Sequence, residues 1–330
     1  MKHSSLFRRL LFISPLVLST ALLSTCSVKE AAPEPAGPVK DFFTQLIQIV
    51  EQNSINRYKI DWPNYKDQVW AKVGSAKTIV EAESAMVLAL ALLKDNHSQI
   101  VIDNKRSLYG GVGCQAAPAI TTSTIAEPAI GYVEVRGFSG TDPEGIALAQ
   151  AIQNDIARQD DKKLKGWIVD LRRNVGGNMY PMIAGLGPLL GEGRCGNFYD
   201  ADNNLKATYA YQNGVALLNQ SSMVAVSRPY RLLNENANVA VLIGSATASS
   251  GEATTIAFVG RANTRLFGAA SCGVSTGNSQ YDLPFYGYKL NLFTVNIGDR
   301  TGKIYDGEIK PDELVAEDQV LARAVKWINQ

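Results

Sequence analysis

Residues 166–178 read GWIVDLRRNVGGN, and this stretch decides the fold class. Its first six residues, 166–171, form a short apolar run of the kind found in strands buried on both faces of a parallel sheet. The two glycines that follow, Gly176 and Gly177, stand before a segment at 179–190 that is predicted to be helical. A strand that passes through a glycine turn into a helix is a repeating unit of α/β proteins.

The same strand-to-helix order continues on both sides of this stretch. The predicted strands are 130–135, 239–243, 265–267 and 290–295, and the predicted helices are 144–159, 251–259 and 318–327. This alternation predicts an α/β core with crossover connections. The polar, Asn-rich stretch 192–238 is predicted to be a lid or a hairpin excursion.

Helical spacing dominates the chain before this core. Apolar residues at helical intervals predict helices at 39–53 and 62–73. A third helix is expected to begin at Thr78, because Glu81 three residues later completes a capping box. We therefore expect a helical N-terminal unit over 39–97 and an α/β domain over 98–330.

Residues 1–25 are typical of an export signal, with basic residues at the start and an apolar stretch of signal-peptide length. The stretch ends in LSTC at Cys26, which is similar to a bacterial lipobox, so we expect lipidation of Cys26 and a flexible tether over 26–38. The alternatives are plain secretory cleavage before Ala36 and a retained anchor. The expected location is the cell envelope, on the periplasmic side of a membrane, or the exterior.

Composition excludes several classes of protein. The 330 residues carry a net charge of +1 without a long basic run, which argues against a nucleic-acid partner. Four cysteines are too few for a disulfide scaffold. Once the signal is removed, His97 is the only histidine, and one histidine with scattered cysteines cannot build a zinc site. We therefore expect neither a metal nor another cofactor.

Residues 244–252, GSATASSGE, follow directly after the strand predicted at 239–243. Small residues on a strand-to-helix turn expose a side chain at the carboxyl edge of the sheet, where α/β proteins place their sites. Ser249 is therefore a candidate nucleophile, and the N–H that follows it can help to hold an oxyanion. The same residues also fit a helix cap, with Ser249 at the cap and Glu252 three positions on.

Two other segments can supply the rest of a serine mechanism. The Gly176–Gly177 turn can present free N–H groups to an oxyanion, although a tight strand-to-helix turn would need the same glycines. His97 offers a base with a pKa near working pH, which a serine nucleophile needs. A lone histidine after a helix can equally be a capping or surface residue.

Together the three segments resemble the C-terminal processing peptidases, also called tail-specific proteases. The family motif D-L-R-x-N-x-G-G is matched by Asp170–Gly177, T-A-S-x-x-E by Thr247–Glu252, D-x-H by Asp95–His97, and a late P-D pair by Pro311–Asp312. The resemblance covers roughly residues 75–315. Within the family the chain is most similar to the nisin-resistance protease group, where the sequence GGNM also recurs.

The resemblance implies an α/β core of the β-spiral kind, similar to ClpP and crotonase. It implies Ser249 as the nucleophile, with Ser250 as the alternative by one residue. The oxyanion hole would come from Gly176 or Gly177 together with the Ser250 N–H. Only about 25 residues separate Lys105 from Ile130, too few for the PDZ domain that many members carry.

The resemblance also implies which residue acts as the base. Val274 stands where the lysine-using branch carries its catalytic lysine, so His97 takes that role. A third triad member would orient the imidazole, and the histidine-using branch can take a carboxylate from the segment before P-D. Asp306 is nearer to the expected place than Glu308, and either can also be an ordinary turn acid.

Three cysteines remain after Cys26. Because Cys195 and Cys272 both flank segments expected near the active site, we expect them to form a disulfide if the exported chain has one. The alternative is no disulfide at all.

We therefore expect an exported serine peptidase that hydrolyses peptide bonds near the C-terminus of peptides or proteins through a Ser–His mechanism. Resistance to an antimicrobial peptide is one use that the resemblance suggests. The expected partners are a peptide or protein substrate and, through the lipid anchor, a membrane. The alternative from another class is a non-catalytic peptide- or ligand-binding protein on the same fold. The G-x-S-x-G elbow is missing, which argues against an esterase.

Overall fold

The computed structural model describes residues 35–111, 113–114 and 129–330, which belong to one compact unit, Glu34–Gln330. The predicted signal at 1–25, the lipidation site Cys26 and most of the tether lie outside the described residues. Over the described ranges, each helix is too short or too polar to span a bilayer.

Seven helices and fourteen strands are assigned within these ranges. The helices are α1 (Gly37–Asn53), α2 (Trp62–Val73), α3 (Glu83–Leu92), α4 (Asp142–Gln159), α5 (Met179–Leu190), α6 (Ser250–Phe258) and α7 (Val320–Ile328). The strands are β1 (Gln99–Ile102), β2 (Arg106–Tyr109), β3 (Ile130–Glu134), β4 (Gly166–Asp170), β5 (Gly193–Tyr199), β6 (Leu205–Gln212), β7 (Val215–Leu218), β8 (Ser221–Ala225), β9 (Asn238–Ile243), β10 (Thr264–Gly268), β11 (Thr276–Asp282), β12 (Tyr288–Asp299), β13 (Ile304–Tyr305) and β14 (Glu313–Leu314).

A five-stranded parallel sheet in the order β14-β10-β9-β4-β3 forms the centre of the α/β core. Successive residues of the central strands face opposite sides of this sheet. Trp167 and Val169 of β4 pack with α4, α5 and α6, whereas Ile168 packs on the opposite side with α7. Burial on both faces explains why every residue of β4 is apolar or buried. The α/β prediction is confirmed.

The stretch 192–238 is not a separate lid but part of a second, nine-stranded sheet. Its four strands, β5 to β8, pair antiparallel in chain order, and β5 pairs with the long strand β12. Strands β1, β11 and β13 also pair with β12. The hairpin form of the sequence prediction is therefore correct.

The N-terminal helices share their core with this larger sheet. Phe42, Phe43 and Leu46 of α1 belong to the same buried cluster as Ile100 of β1 and Leu290 of β12. Helices α1 and α2 span the predicted ranges almost residue for residue.

Helix α3 begins at Glu83, five residues later than predicted. Thr78 Oγ1 does accept from the Glu81 N–H at 3.2 Å, and a Glu81 carboxylate oxygen accepts from the Lys77 N–H at 2.9 Å. These two hydrogen bonds close a turn that precedes α3, and they do not mark the start of the helix.

The topology brings the two motif-bearing turns together. Strands β4 and β9 are parallel neighbours, and Asp170 at the end of β4 is in register with Leu242 near the end of β9. The turns that follow them therefore leave the sheet at the same edge, which is where ligands bind in open parallel sheets.

Candidate active site

Ser249 is the last residue before α6, at the end of the turn that follows β9. Its backbone adopts φ +52° and ψ −115°, in the left-handed half of backbone space that a serine rarely occupies. The surrounding structure holds it there, since the Ser249 N–H donates to a Glu252 carboxylate oxygen at 2.9 Å. Strain of this kind is stored at functional sites, and here the Ser249 side chain is partly exposed in a cleft.

The neighbouring serine is engaged differently. The Ser250 hydroxyl donates to the Gly177 carbonyl, and a carbonyl can only accept, so the Ser250 proton is already used. Ser250 is the first residue of α6, where a backbone N–H has no partner inside the helix. The geometry therefore distinguishes the two serines, because Ser249 presents its side chain to the cleft while Ser250 presents its backbone N–H.

The Gly176–Gly177 turn presses against the serine turn. Both glycines have a positive φ, and a Cβ added to Gly176 would lie 2.8 Å from Ser249 Cβ. A Cβ on Gly177 would lie only 1.9 Å from the Phe138 carbonyl oxygen. A side chain at Gly176 would therefore push against the serine turn, and one at Gly177 would push against the backbone at Phe138.

The two glycines differ in what their N–H groups do. The Gly176 N–H donates to the Asn174 side-chain oxygen at 3.1 Å. The Gly177 N–H makes no hydrogen bond within the described part of the chain. Of the two predicted oxyanion donors in this turn, Gly177 is the one left available.

Two helix N-termini point at this place. Helix α5 begins two residues after Gly177, with Asn178 as its cap and the Asn178 side chain accepting from the Tyr180 N–H at 3.0 Å, and α6 begins directly after Ser249. The N-terminus of a helix carries a partial positive charge. The field at the serine and glycine turns therefore favours negative charge.

The D-L-R part of the motif is structural. The buried pair Asp170 and Arg172 forms hydrogen bonds of 3.0 and 2.5 Å, and Arg172 also pairs with Glu317. Tyr132 donates to Asp170 at 2.8 Å. This network satisfies two buried charges and fixes the end of β4, from which the glycine turn begins.

His97 reaches the same cleft from the other sheet. It lies just before β1, and its Nδ1 forms a hydrogen bond with the Thr276 hydroxyl at the start of β11. The Thr276 hydroxyl also donates to the Val274 carbonyl at 3.3 Å, so its oxygen is left to accept from His97 Nδ1–H. This assigns the tautomer in which Nε2 is unprotonated and can accept a proton.

Burial lowers the pKa of His97 below its ordinary value, and the nearby charge of Asp95 offsets part of this effect. The Asp95 carboxylate accepts from the His97 and Ser98 N–H groups at 3.0 and 2.8 Å. Asp95 therefore fixes the backbone that carries the ring. Because the pKa of His97 is lowered, the imidazole is neutral near pH 7.

The two acids predicted as a third member are both exposed. Asp306 lines a second cavity of about 430 Å³ together with Asn96 and Thr276, and it makes no hydrogen bond to another described residue. Glu308 lies 3.9 Å from Lys310 in a surface ion pair. The hydrogen bond to the His97 ring comes from Thr276.

Ser249, Ser250, Gly177 and His97 line one cleft with a volume of about 760 Å³. One wall comes from the turns after β4 and β9 and from α5, and the other comes from strands of the nine-stranded sheet. The second wall includes Phe198, Ala207, Leu218, Thr276, Gly277, Asn278, Ser279, Thr294, Val295 and Ile297.

The model of Peptidase family S41 matches residues 129–315, which is more than half of the chain. The chain belongs to this family. Members of this family are serine-type peptidases, and the S41 match spans both the glycine turn and the serine turn described above.

Other known proteins are similar to this S41 peptidase over most of its length. The nisin-resistance protein of Lactococcus lactis subsp. lactis is 28% identical over 273 residues, which is 82% of this chain and 80% of that protein. The structure of a lipoprotein from Streptococcus agalactiae is 24% identical, with a TM-score of 0.67, over 89% of this chain and 97% of that one. The photosystem II D1 C-terminal processing protease shares the fold at 12% identity, with a TM-score of 0.57, over 86% and 94% of the two chains.

The loop at 271–276 of the S41 peptidase, called the base loop here, joins the two halves of the site. The fully buried Glu252 accepts from Ser271 Oγ, the Gly273 N–H and the Val274 N–H at 2.5, 2.8 and 3.0 Å. The same carboxylate holds the Ser249 N–H. Burial raises the pKa of Glu252, and its four hydrogen bonds oppose that rise. Val274, where the resemblance would place the lysine of the other branch, joins this network through its backbone N–H.

The predicted Cys195–Cys272 disulfide is wrong, since the base loop is bridged through Cys272 to Cys114 instead. Cys195 is a free thiol in β5, fully buried in the core, where burial raises its pKa to about 11. Cys272 is half-buried on the base loop and is bonded to the exposed Cys114 after β2. Sequence proximity to the site did not reveal that Cys195 points into the core.

Sequence reasoning also missed Thr276, which no motif singles out. It follows Val274 by two residues, but the feature that makes it important is contact with a ring 179 positions away in the chain. A single sequence carries no signal for a contact of that range.

Proposed function

We propose that this chain is an exported S41 peptidase that cleaves peptide bonds near the C-terminus of its substrates, with Ser249 as nucleophile and His97 as base. The observation that carries the proposal is the meeting in one cleft of a strained serine, a histidine whose Nδ1 is bonded to Thr276, and two available backbone donors. These are the groups that serine acyl transfer needs.

In the first step, Ser249 Oγ attacks the scissile carbonyl carbon and His97 Nε2 accepts the Ser249 proton. The negative charge that develops on the carbonyl oxygen is held by the Gly177 and Ser250 N–H groups. The N-termini of α5 and α6 add to this stabilisation. His97 then gives its proton to the leaving amine, and the acyl group remains on Ser249.

In the second step, a water molecule loses a proton to His97 and attacks the acyl carbon. The bond between that carbon and Ser249 Oγ then breaks, His97 returns the proton to Ser249 Oγ, and the carboxylic acid product leaves. Throughout both steps Thr276 accepts from Nδ1–H and keeps Nε2 directed to the reaction. A hydroxyl stabilises the imidazolium less than a carboxylate does. Asp306 stays a prediction as a further contributor, since it faces the cavity behind Thr276.

For the substrate we propose a peptide, with antimicrobial peptides as the first class to test. The supporting observation is the similarity to the nisin-resistance protein across 82% of this chain. No observation favours the non-catalytic binding protein, because the nucleophile, the base and the oxyanion donors are all present.

The decisive experiment is incubation of the purified protein with nisin and with a set of unmodified peptides, followed by mass spectrometry of the products. The matched control is the Ser249→Ala protein under the same conditions. We expect truncated products with wild type only, with cuts close to the C-terminus. Intact peptides with both proteins, together with no labelling of Ser249 by a serine-directed phosphonate, would reject the proposal.

We also propose that Cys26 carries the lipid that anchors the enzyme to a membrane. The support is the lipobox-like LSTC at the end of the signal and the description of a similar structure as a lipoprotein. Labelled palmitate should be incorporated into wild type and not into Cys26→Ser, which should appear in the soluble fraction. A Cys26→Ser protein that stays membrane-bound, with no label on wild type, would contradict anchoring by lipid.

A further inference from the structure

The cleft carries very little charge. Among the described residues that line it, Lys206 is the only one with a full charge at neutral pH, since the His97 ring is neutral and no Asp or Glu is present. The described lining of the cleft therefore carries one positive charge and no negative charge, which favours an anionic group on a ligand near Lys206.

Lys206 has one loose ionic partner. Its side chain is 57% exposed, and its nearest carboxylate oxygen, Asp200 Oδ2, lies at 3.9 Å, which is an ion-pair distance but too long for a hydrogen bond. The other oxygen of Asp200 accepts from the N–H groups of Asp202 and Asn204, both at 2.9 Å. The Lys206 ammonium donates no hydrogen bond to a described residue, so it can turn its donors to a ligand in the cleft.

The surroundings of Lys206 suit the end of a peptide. It lies on β6 beside Ala207, which pairs with Phe198 of β5, and both of these residues line the cleft wall with Leu218. An apolar wall next to an ammonium that makes no hydrogen bond can bind an apolar side chain and an adjacent carboxylate together. An ammonium is a compact charge that can pair with a carboxylate without a strict geometry.

We propose that Lys206 binds a carboxylate of the substrate and thereby selects where the chain is cut. This inference rests on the proposed peptidase function. The carboxylate can come from the free C-terminus of the peptide or from an acidic side chain near the scissile bond. In either case Lys206 acts on substrate binding and takes no part in the acyl-transfer steps.

The test uses three versions of one cleaved peptide: the free acid, the C-terminal amide, and the amide with a Glu placed at the last position. Each is assayed with wild type, with Lys206→Met, and with Lys163→Met, an exposed lysine remote from the cleft as the matched control. We expect wild type and Lys163→Met to prefer the free acid over the amide by about tenfold in kcat/KM, mostly through KM. Lys206→Met should treat the two alike.

The third peptide distinguishes the two sources of the carboxylate. If it behaves like the amide, Lys206 reads the terminal carboxylate, and if it behaves like the free acid, Lys206 reads any carboxylate there. The wild-type preference should also shrink as salt rises, because the pair is partly exposed to solvent. A preference that persists in Lys206→Met, or that is absent from wild type for both carboxylates, would overturn the proposal.

Binding by Lys206 can be measured apart from cleavage. The same three peptides, fluorescently labelled, are titrated into Ser249→Ala protein with and without Lys206→Met, and binding is followed by anisotropy. Tighter binding of a carboxylate peptide that depends on Lys206 supports the inference even if no peptide is cleaved. Equal binding in both proteins, with cleavage intact in wild type, rejects it and leaves the peptidase proposal standing.

Discussion

The two halves of the active site are built in different ways. The nucleophile half lies on turns after two adjacent parallel strands, where Ala248 N–H donates to the Asn174 carbonyl and Thr247 Oγ1 donates to the Leu171 carbonyl, both at 2.9 Å. In the base half, Asp95 fixes the backbone beside His97, and one side-chain hydrogen bond with Thr276 orients the ring. The nucleophile half is held mainly by contacts between two neighbouring turns, whereas the ring of the base is oriented by a single long-range contact.

This difference has a consequence for mutation. Changes in the nucleophile half should act on the chemistry directly and strongly, because little there can relax. Changes to the partners of His97, as distinct from loss of the imidazole itself, should lower the rate in degrees, because a ring that loses its partner can still reach the correct position for part of the time.

The largest effect is expected from Ser249→Ala, which removes the nucleophile. The rate should fall by roughly three or more orders of magnitude. Ser250→Ala should cost less, because its N–H remains and only the bond to the Gly177 carbonyl is lost. The measurement is kcat/KM on one peptide substrate. A dead Ser250→Ala protein beside an active Ser249→Ala protein would show that the assignment is off by one residue.

Gly177→Ala should be next, at about a hundredfold to a thousandfold in kcat, the size expected for an oxyanion donor that is displaced. The added Cβ would sit 1.9 Å from the Phe138 oxygen, so the N–H must move. Gly37→Ala is the control, since nothing lies within 4 Å of its added Cβ. Full activity in Gly177→Ala would mean that the oxyanion is held elsewhere.

Thr276→Val tests the base half. It keeps the shape of the side chain and removes the partner of Nδ1, so kcat should drop by about tenfold to a hundredfold with KM nearly unchanged. Asp306→Asn is compared with it, and Glu308→Gln serves as the control. A larger loss in Asp306→Asn than in Thr276→Val would assign the orienting role to the carboxylate.

The pH dependence of activity tests whether His97 is the base. His97 must be neutral to accept a proton, so activity rises as pH passes upward through its pKa. Because burial lowers that pKa, the acidic limb of the pH–rate profile should have its midpoint below a pH of about 6.5. His97→Ala should lose the limb together with nearly all activity. A limb well above 6.5, or near-normal turnover by His97→Ala, would point to a different base.

The smallest effect on turnover is expected from the disulfide that anchors the base loop. Cys114→Ser with Cys272→Ser opens a loop of 158 residues, so the free energy of unfolding should fall by about 3–5 kcal/mol. Turnover should fall only a few-fold, because Glu252 still holds the loop. Urea denaturation and kcat measure the two effects, with Cys195→Ala as the control. Loss of all activity in a folded double mutant would mean that the bridge, not Glu252, positions Thr276.

Much of the nucleophile half could be predicted from the sequence. The apolar runs around Val169 and Val241 were predicted to be buried strands of an α/β core, and in the structure they are parallel neighbours whose glycine and serine turns lie at one sheet edge. Which serine and which glycine were available could not be predicted, because that depends on where the Ser250 hydroxyl and the Gly176 N–H find partners.

Less of the base half and of the disulfide could be predicted from one sequence. His97 was found by elimination, since no other histidine remained after the signal. Thr276 and Cys114 were not found, because both matter through contacts with residues more than 150 positions away. The start of α3 failed for a local reason, since a capping pair can close a turn as well as open a helix.

The arrangement of the three cysteines sets an order of events for the maturing chain. Cys114 is closer in sequence to Cys195 than to its true partner Cys272, and shorter loops close more easily in an unfolded chain. Once the core has formed, Cys195 is sealed inside it with its thiolate suppressed, and it can no longer take part in exchange. Folding before oxidation therefore favours the native Cys114–Cys272 bridge, whereas oxidation of the unfolded chain would favour shorter loops closed through Cys195.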